Sequence, residues 1–108
     1  MGLDSYFVVG SVASNAEIHY FRKFHALHEI LEEEWVDQKK GRTGCDFNCV
    51  YLRIGKRILK ILRKACKQAS TEKYLQCDYM WEDKWKELES LCDVIENLIA
   101  EGQRVYYL

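Results

Sequence analysis

The clearest candidates for chemistry in this sequence are Asp4 and His28. His28 lies on the apolar side of a predicted helix, and Asp4 precedes the apolar part of a predicted strand. A carboxylate within hydrogen-bond reach of an imidazole can act as an acid–base pair. The alternative is a buried histidine whose ring is hydrogen-bonded within the core. Asp4 and His28 are therefore candidate pocket residues, and a small enzyme or nucleotide binder is the function that they would support.

The histidines and cysteines do not form a recognisable metal-binding pattern. Cys45 and Cys49 are four residues apart, which is wider than the spacing in common zinc sites, and no second close pair of cysteines accompanies them. His25 and His28 could complete a four-ligand set, but nothing in the spacing requires it. The glycines are scattered and form no phosphate-binding or dinucleotide-binding loop. We therefore predict no metal, no cofactor, no catalytic residue and no enzymatic activity.

Length and composition predict one soluble domain over residues 1–108. The chain has 48% hydrophobic and 31% charged residues, enough to bury a core and too apolar for a disordered chain. It contains no uncharged apolar run long enough to span a membrane, and residues 1–12 lack the features of a signal peptide. Tyr6 stands where an acylation signal needs Ser or Thr. These features predict a cytoplasmic protein without a membrane anchor.

The first half of the chain predicts a strand followed by a long helix. Residues 3–10 are rich in β-forming side chains and end at Gly10. Ser14 and Glu17 have the spacing of a capping box, which predicts a helix over residues 15–37. One side of this helix would be apolar and would carry Phe21, Phe24, His28, Leu31 and Trp35.

The middle of the chain predicts a loop, a strand and a second helix. The segment 39–44 has two glycines and three basic residues and is predicted as a loop. Residues 47–54 are rich in β-formers and predict a strand. Gly55 is placed to cap a helix that ends near Ser70.

A third helix and a final strand complete the predicted order. Asp78 is placed to cap a helix over residues 79–101, and Gly102 is placed to end it. Residues 104–108 predict a short strand. The order β-α-β-α-α-β indicates an α+β fold, in which a small three-stranded sheet packs against three helices.

The charges are strongly segregated along the chain, although the net charge is only −1. Residues 1–37 and 78–101 are acidic, whereas residues 52–69 contain seven basic residues and no acidic one. Six of these cations share the face opposite the apolar side of the second helix. They are Lys56, Arg57, Lys60, Arg63, Lys64 and Lys67.

This basic face has three interpretations. It can be a solvated surface partly neutralised by neighbouring acidic helices. It can bind nucleic acid through phosphates, although no aromatic residue alternates with the cations of helix 56–67. It can also dock on an acidic protein surface, because separate basic and acidic faces favour one orientation.

The chain resembles a family of small bacteriophage and prophage proteins that open Met-Gly-Leu-Asp-x-Tyr. The opening is Met1-Gly-Leu-Asp-Ser-Tyr6 here, with Ser5 where the family usually has Met. The resemblance extends to Tyr20-Phe-Arg-Lys23 with His28, to Leu59, Leu62 and Cys66, and to Val105-Tyr-Tyr107. Gly55 departs from the family, which has a serine cap at this point.

The resemblance implies a viral accessory protein and says little about activity. Small phage proteins of this kind commonly bind and block a bacterial host protein, including components of antiviral immunity. The resulting expectation is a non-enzymatic inhibitor in the cytoplasm of an infected bacterium. Its partner would be a host or immune protein, and the inhibitor would be a monomer or a homodimer.

Overall fold

The described residues form an antiparallel sheet of four strands with three helices. The computed structural model describes residues 4–11, 14–38 and 51–108. Its elements are β1 (Asp4–Gly10), β2 (Asn15–Arg22), α1 (His25–Gln38), β3 (Leu52–Arg53), α2 (Lys56–Gln68), a short 3₁₀ helix (Lys73–Gln76), α3 (Trp81–Ala100) and β4 (Val105–Tyr107). The strands lie in the order β2-β1-β4-β3. The predicted α+β class is confirmed, but the order is β-β-α-β-α-α-β and the sheet has one more strand than predicted.

The additional strand is β2, in a segment that the sequence analysis assigned to the first helix. β2 pairs with β1 along its whole length, from Asp4 opposite Arg22 to Gly10 opposite Asn15. Ile18, Tyr20 and Phe21 are β-branched or aromatic, and such residues favour a strand when a sheet edge is available for pairing. The prediction of a helix over residues 15–37 is therefore wrong for its first part, and α1 begins at His25.

Ser11 and Ser14 are hydrogen-bonded to each other between β1 and β2, where the sequence predicted a capping box. The amide of Ser11 donates to the carbonyl of Ser14 at 2.9 Å, and the amide of Ser14 donates to the hydroxyl of Ser11 at 3.0 Å. Ser14 therefore bonds to Ser11 instead of capping a helix, and Glu17 lies in β2. Gly10, the last residue of β1, has φ of +127°, a conformation that residues with a side chain rarely adopt.

Replacing Gly10 with alanine is expected to lower the free energy of unfolding by about 3 kcal/mol. A Cβ at this position would lie 2.6 Å from the Ser14 carbonyl oxygen, which accepts a hydrogen bond from the Ser11 amide. Gly55→Ala is the control, because its Cβ would meet no atom of the described residues within 4 Å and its φ is −94°. Urea denaturation of both variants tests this. Equal losses for the two would contradict the assigned role of Gly10.

Asp78 caps α1, whereas the sequence analysis placed it at the start of the third helix. Its two carboxylate oxygens accept hydrogen bonds from the amides of His25 at 2.8 Å and Ala26 at 3.0 Å. α3 instead begins after Met80, which has φ of +56° and makes no side-chain cap. A residue 53 positions away in the sequence thus supplies the N-terminal cap of α1. The prediction of Asp78 as a local cap is wrong.

The second half of the chain follows the predicted order with shorter elements. The predicted strand 47–54 is confirmed at Leu52–Arg53, while its first residues and the predicted loop 39–44 lie outside the described residues. α2 begins after Gly55 as predicted. α3 ends just before Gly102, whose φ of +84° suits a helix stop.

The core lies between the helices and one face of the sheet. Phe7, Val105 and Tyr107 extend from the sheet into a buried cluster that all three helices complete. Phe24, directly before α1, packs on Trp85 of α3, with ring centroids 4.9 Å apart in an edge-to-face arrangement. In the part of the chain that the structure describes, no helix is long and apolar enough to cross a membrane.

Candidate functional site

α2 places its apolar and cationic residues on opposite faces. Its buried residues are Ile58, Leu59, Leu62 and Ala65, at the spacing of one helical face. The cations lie on the outward side, where five of them are exposed and Arg63 is half-buried. We call these six residues the basic face: Lys56, Arg57, Lys60, Arg63, Lys64 and Lys67. The predicted grouping of these residues on one helix surface is thus observed.

The two arginines of the basic face interact with acidic neighbours. Arg63 donates from one guanidinium nitrogen to Asp93 at 2.9 Å and to Glu96 at 2.8 Å, both on α3. The hydrogen bond to Asp93 raises the pKa of the Arg63 guanidinium above its usual value. Arg57 lies 3.6 Å from a carboxylate oxygen of Glu34 on α1. Part of the basic face is therefore neutralised within the fold.

The four lysines of the basic face are exposed and form no ion pair with any residue that the structure describes. They are Lys56, Lys60, Lys64 and Lys67. Acidic residues of α1 and α3 thus pair with the two arginines and leave the four lysines available. An exposed row of charges of one sign attracts partners of opposite charge and orients them as they approach.

A groove of about 600 Å³ runs between α2 and α3 beside this row. Lys56, Lys60 and Arg63 form one wall, and Glu96 lies on the other side. The apolar part of the groove consists of Leu59, Ile99 and Ala100. The groove thus combines an apolar floor with a predominantly cationic wall.

His28 belongs to a second, buried group of polar side chains. Its Nδ1 lies 2.8 Å from the hydroxyl of Tyr107, which in turn lies 2.8 Å from the hydroxyl of Ser5. Its Nε2 lies 3.7 Å from Glu32, one helical turn further along α1. If the Ser5 hydroxyl donates to Tyr107, and the Tyr107 hydroxyl donates to Nδ1 of neutral His28, both hydroxyl protons have an acceptor. Nε2–H then faces Glu32.

Burial determines the protonation of this group. Burial lowers the pKa of His28, against the opposing effect of Glu32. It also raises the pKa of Tyr107 to about 12, although the hydrogen bond from Ser5 acts in the opposite direction. Ser5 is 0% exposed and Tyr107 is 1% exposed, so a substrate cannot reach either hydroxyl. This geometry supports a structural role, in which His28 anchors α1 to β1 and β4.

Replacing Tyr107 with phenylalanine is expected to lower the free energy of unfolding by about 1–2 kcal/mol, because the buried Ser5 hydroxyl loses its partner. Tyr106→Phe is the matched control on the opposite face of β4, since no hydrogen bond of its hydroxyl occurs among the described residues. Chemical denaturation of both variants tests this. A Ser5→Ala/Tyr107→Phe double variant should lose less than the sum of the single variants, and strict additivity would contradict the pairing.

Asp4 takes no part in this group. Tyr20 donates its hydroxyl proton to Asp4 Oδ1 at 2.6 Å, and this hydrogen bond raises the pKa of Tyr20. Successive residues of a strand point to opposite faces, so Asp4 lies on the face away from Ser5 and the helices. The predicted pairing of Asp4 with His28 is not formed, and the two residues belong to separate interactions.

The histidine and cysteine candidates for a metal site do not converge in the described ranges. No group of three His, Cys, Asp or Glu side chains suited to a metal ion occurs there. Cys45 and Cys49 lie outside the described residues. His25 instead interacts with Asp78, with 2.9 Å between its Nδ1 and the carboxylate. This contact adds to the cap of α1.

Two features of the site could not be read from the sequence. The apolar groove floor needs Ile99 and Ala100 of α3 beside Leu59 of α2, and the sequence does not show which helices are neighbours. The neutralisation of Arg63 likewise depends on how α2 packs on α3. The sequence offered one sign of this pairing, because a helix with an acidic side follows the basic helix along the chain.

Comparisons with known proteins add no further constraint. No protein-family model, curated protein or solved structure matched this chain. The resemblance to small phage proteins therefore stays a prediction, and function is argued from the geometry above.

Proposed function

We propose that this chain is a non-catalytic binding protein that docks on an acidic protein surface through the basic face of α2. The observation that carries this proposal is the row of four exposed lysines without ion pairs among the described residues. Desolvating a single exposed lysine costs free energy. A partner that supplies several carboxylates to a row of lysines can offset that cost.

The acidic helices favour a protein partner over nucleic acid. Asp93 and Glu96 lie directly beside the basic face, where they form ion pairs with Arg63. A nucleic-acid backbone lying along α2 would meet these carboxylates and be repelled. A protein surface can place its own acidic groups against the lysines and its neutral groups against α3.

The resemblance to phage proteins gives the class of partner. We propose a bacterial host or immune protein, inhibited by occlusion in the cytoplasm of an infected cell. Nucleic-acid binding through the same helix is the alternative that the test must separate.

The test is a pull-down of the tagged protein from bacterial lysate, with and without nuclease, followed by a salt gradient. We expect one stoichiometric acidic protein that survives nuclease and elutes as salt rises, since screening weakens exposed charge pairs. Nucleic acid on the beads before nuclease and bare beads afterwards would overturn the proposal.

A further inference from the structure

We propose that the groove between α2 and α3 binds a protein segment that presents an apolar side chain flanked by carboxylates. This inference rests on the proposed function and deepens it. It specifies which part of the basic face makes the central contact and what the partner must offer there.

The floor of the groove determines the apolar part of the ligand. Leu59 lies at the base, Ile99 is half-buried and Ala100 is exposed, so apolar surface is left in contact with water. The volume of about 600 Å³ accommodates one or two large side chains. Covering this floor with an apolar side chain stabilises the complex in proportion to the apolar area removed from water.

The wall of the groove determines the charged part. Lys56 and Lys60 line it and form no ion pairs among the described residues. Arg63 forms ion pairs with Asp93 and Glu96, and these carboxylates already balance its charge. The ligand's carboxylates should therefore lie at the Lys56 and Lys60 end, away from Glu96.

The lining also separates a peptide from a nucleic acid. Among the described residues, those that line the groove include no aromatic ring on which a base could stack. Phosphates could pair with the lysines, but they would leave the apolar floor uncovered. A segment with both acidic and apolar side chains satisfies the wall and the floor together.

The test measures fluorescence anisotropy of a labelled peptide of alternating glutamate and leucine added to the full chain. Two control peptides have serine in place of leucine or glutamine in place of glutamate. We expect the parent peptide to bind at least about tenfold more tightly than either control, because each control removes one of the two interactions. Equal binding of the parent and serine peptides, or no binding of the parent, would overturn the inference.

Two pairs of charge reversals locate the site. Lys56→Glu with Lys60→Glu changes the groove wall, whereas Lys64→Glu with Lys67→Glu makes the same change in charge on the same helix outside the groove. The first pair should weaken binding about tenfold more than the second. Equal weakening by both pairs would refute the groove site and leave docking on the basic face intact. No effect of either pair would count against both proposals.

A third variant tests the floor without changing charge. Ala100 is exposed, so Ala100→Phe fills part of the groove with little effect on folding, which circular dichroism verifies. We expect about a tenfold loss of peptide affinity. Unchanged affinity in a folded variant would place the apolar contact elsewhere and overturn the inference.

Discussion

Replacing Trp85 with alanine is expected to lower the free energy of unfolding by about 4 kcal/mol, the largest effect of any substitution considered. Trp85 is 3% exposed, and its ring packs edge-to-face on Phe24, the residue directly before α1. Its Nε1–H donates to the carbonyl of Leu75 at 2.7 Å. The substitution opens a cavity and leaves that carbonyl without its indole partner.

Urea denaturation measures the loss, with Trp81→Ala as the control. Trp81 lies on the same helix and is only half-buried, so its removal should cost less than half as much. Trp85→Phe retains much of the ring volume and should lose about 1–2 kcal/mol, mainly from the missing hydrogen bond. Losses of similar size for Trp81→Ala and Trp85→Ala would contradict the central position of Trp85.

Replacing Asp78 with alanine is expected to lower the free energy of unfolding by about 3 kcal/mol. The side chain of Asp78 is 1% exposed and accepts hydrogen bonds from the amides of His25 and Ala26. Alanine removes both bonds and leaves the first turn of α1 without its cap. Asp78→Asn keeps one acceptor oxygen and should lose less.

The same carboxylate should make the fold sensitive to acid. Burial would raise the pKa of Asp78, but hydrogen bonds from the Ala26 and His25 amides and from the His25 ring outweigh it and leave the pKa below its usual value. A lowered pKa stabilises the fold above the unfolded-state pKa of about 4, and this contribution is lost as pH falls through the folded-state pKa. Denaturation at a series of pH values should show this loss in the wild type and a smaller loss in Asp78→Ala. Identical pH profiles would contradict the cap.

Local patterns predicted the elements that are amphipathic in isolation. α2 has its apolar residues at helical spacing and its cations opposite, so its limits and its basic face follow from the sequence alone. α3 follows for the same reason. These predictions need no knowledge of neighbouring elements.

Elements that depend on a distant partner were predicted incorrectly or missed. β2 is a strand because β1 offers an edge, although Phe21 and Phe24 have a spacing that also fits a helix. Asp78 caps α1, whose first turn is far away in the sequence. The groove floor requires α2 and α3 to be adjacent. In each case the determining contact is tertiary, and a local pattern cannot reveal it.

Charge reversal on the basic face is the decisive test of docking through α2. Lys60→Glu with Lys64→Glu changes the row of lysines, and Lys73→Glu with Lys86→Glu makes the same change in net charge at exposed positions outside α2. Each variant, checked for folding by circular dichroism, is used to capture protein from nuclease-treated bacterial lysate. We expect the first variant to capture at least about tenfold less of this protein, while the second retains it. Equal capture by both variants would contradict docking through the basic face.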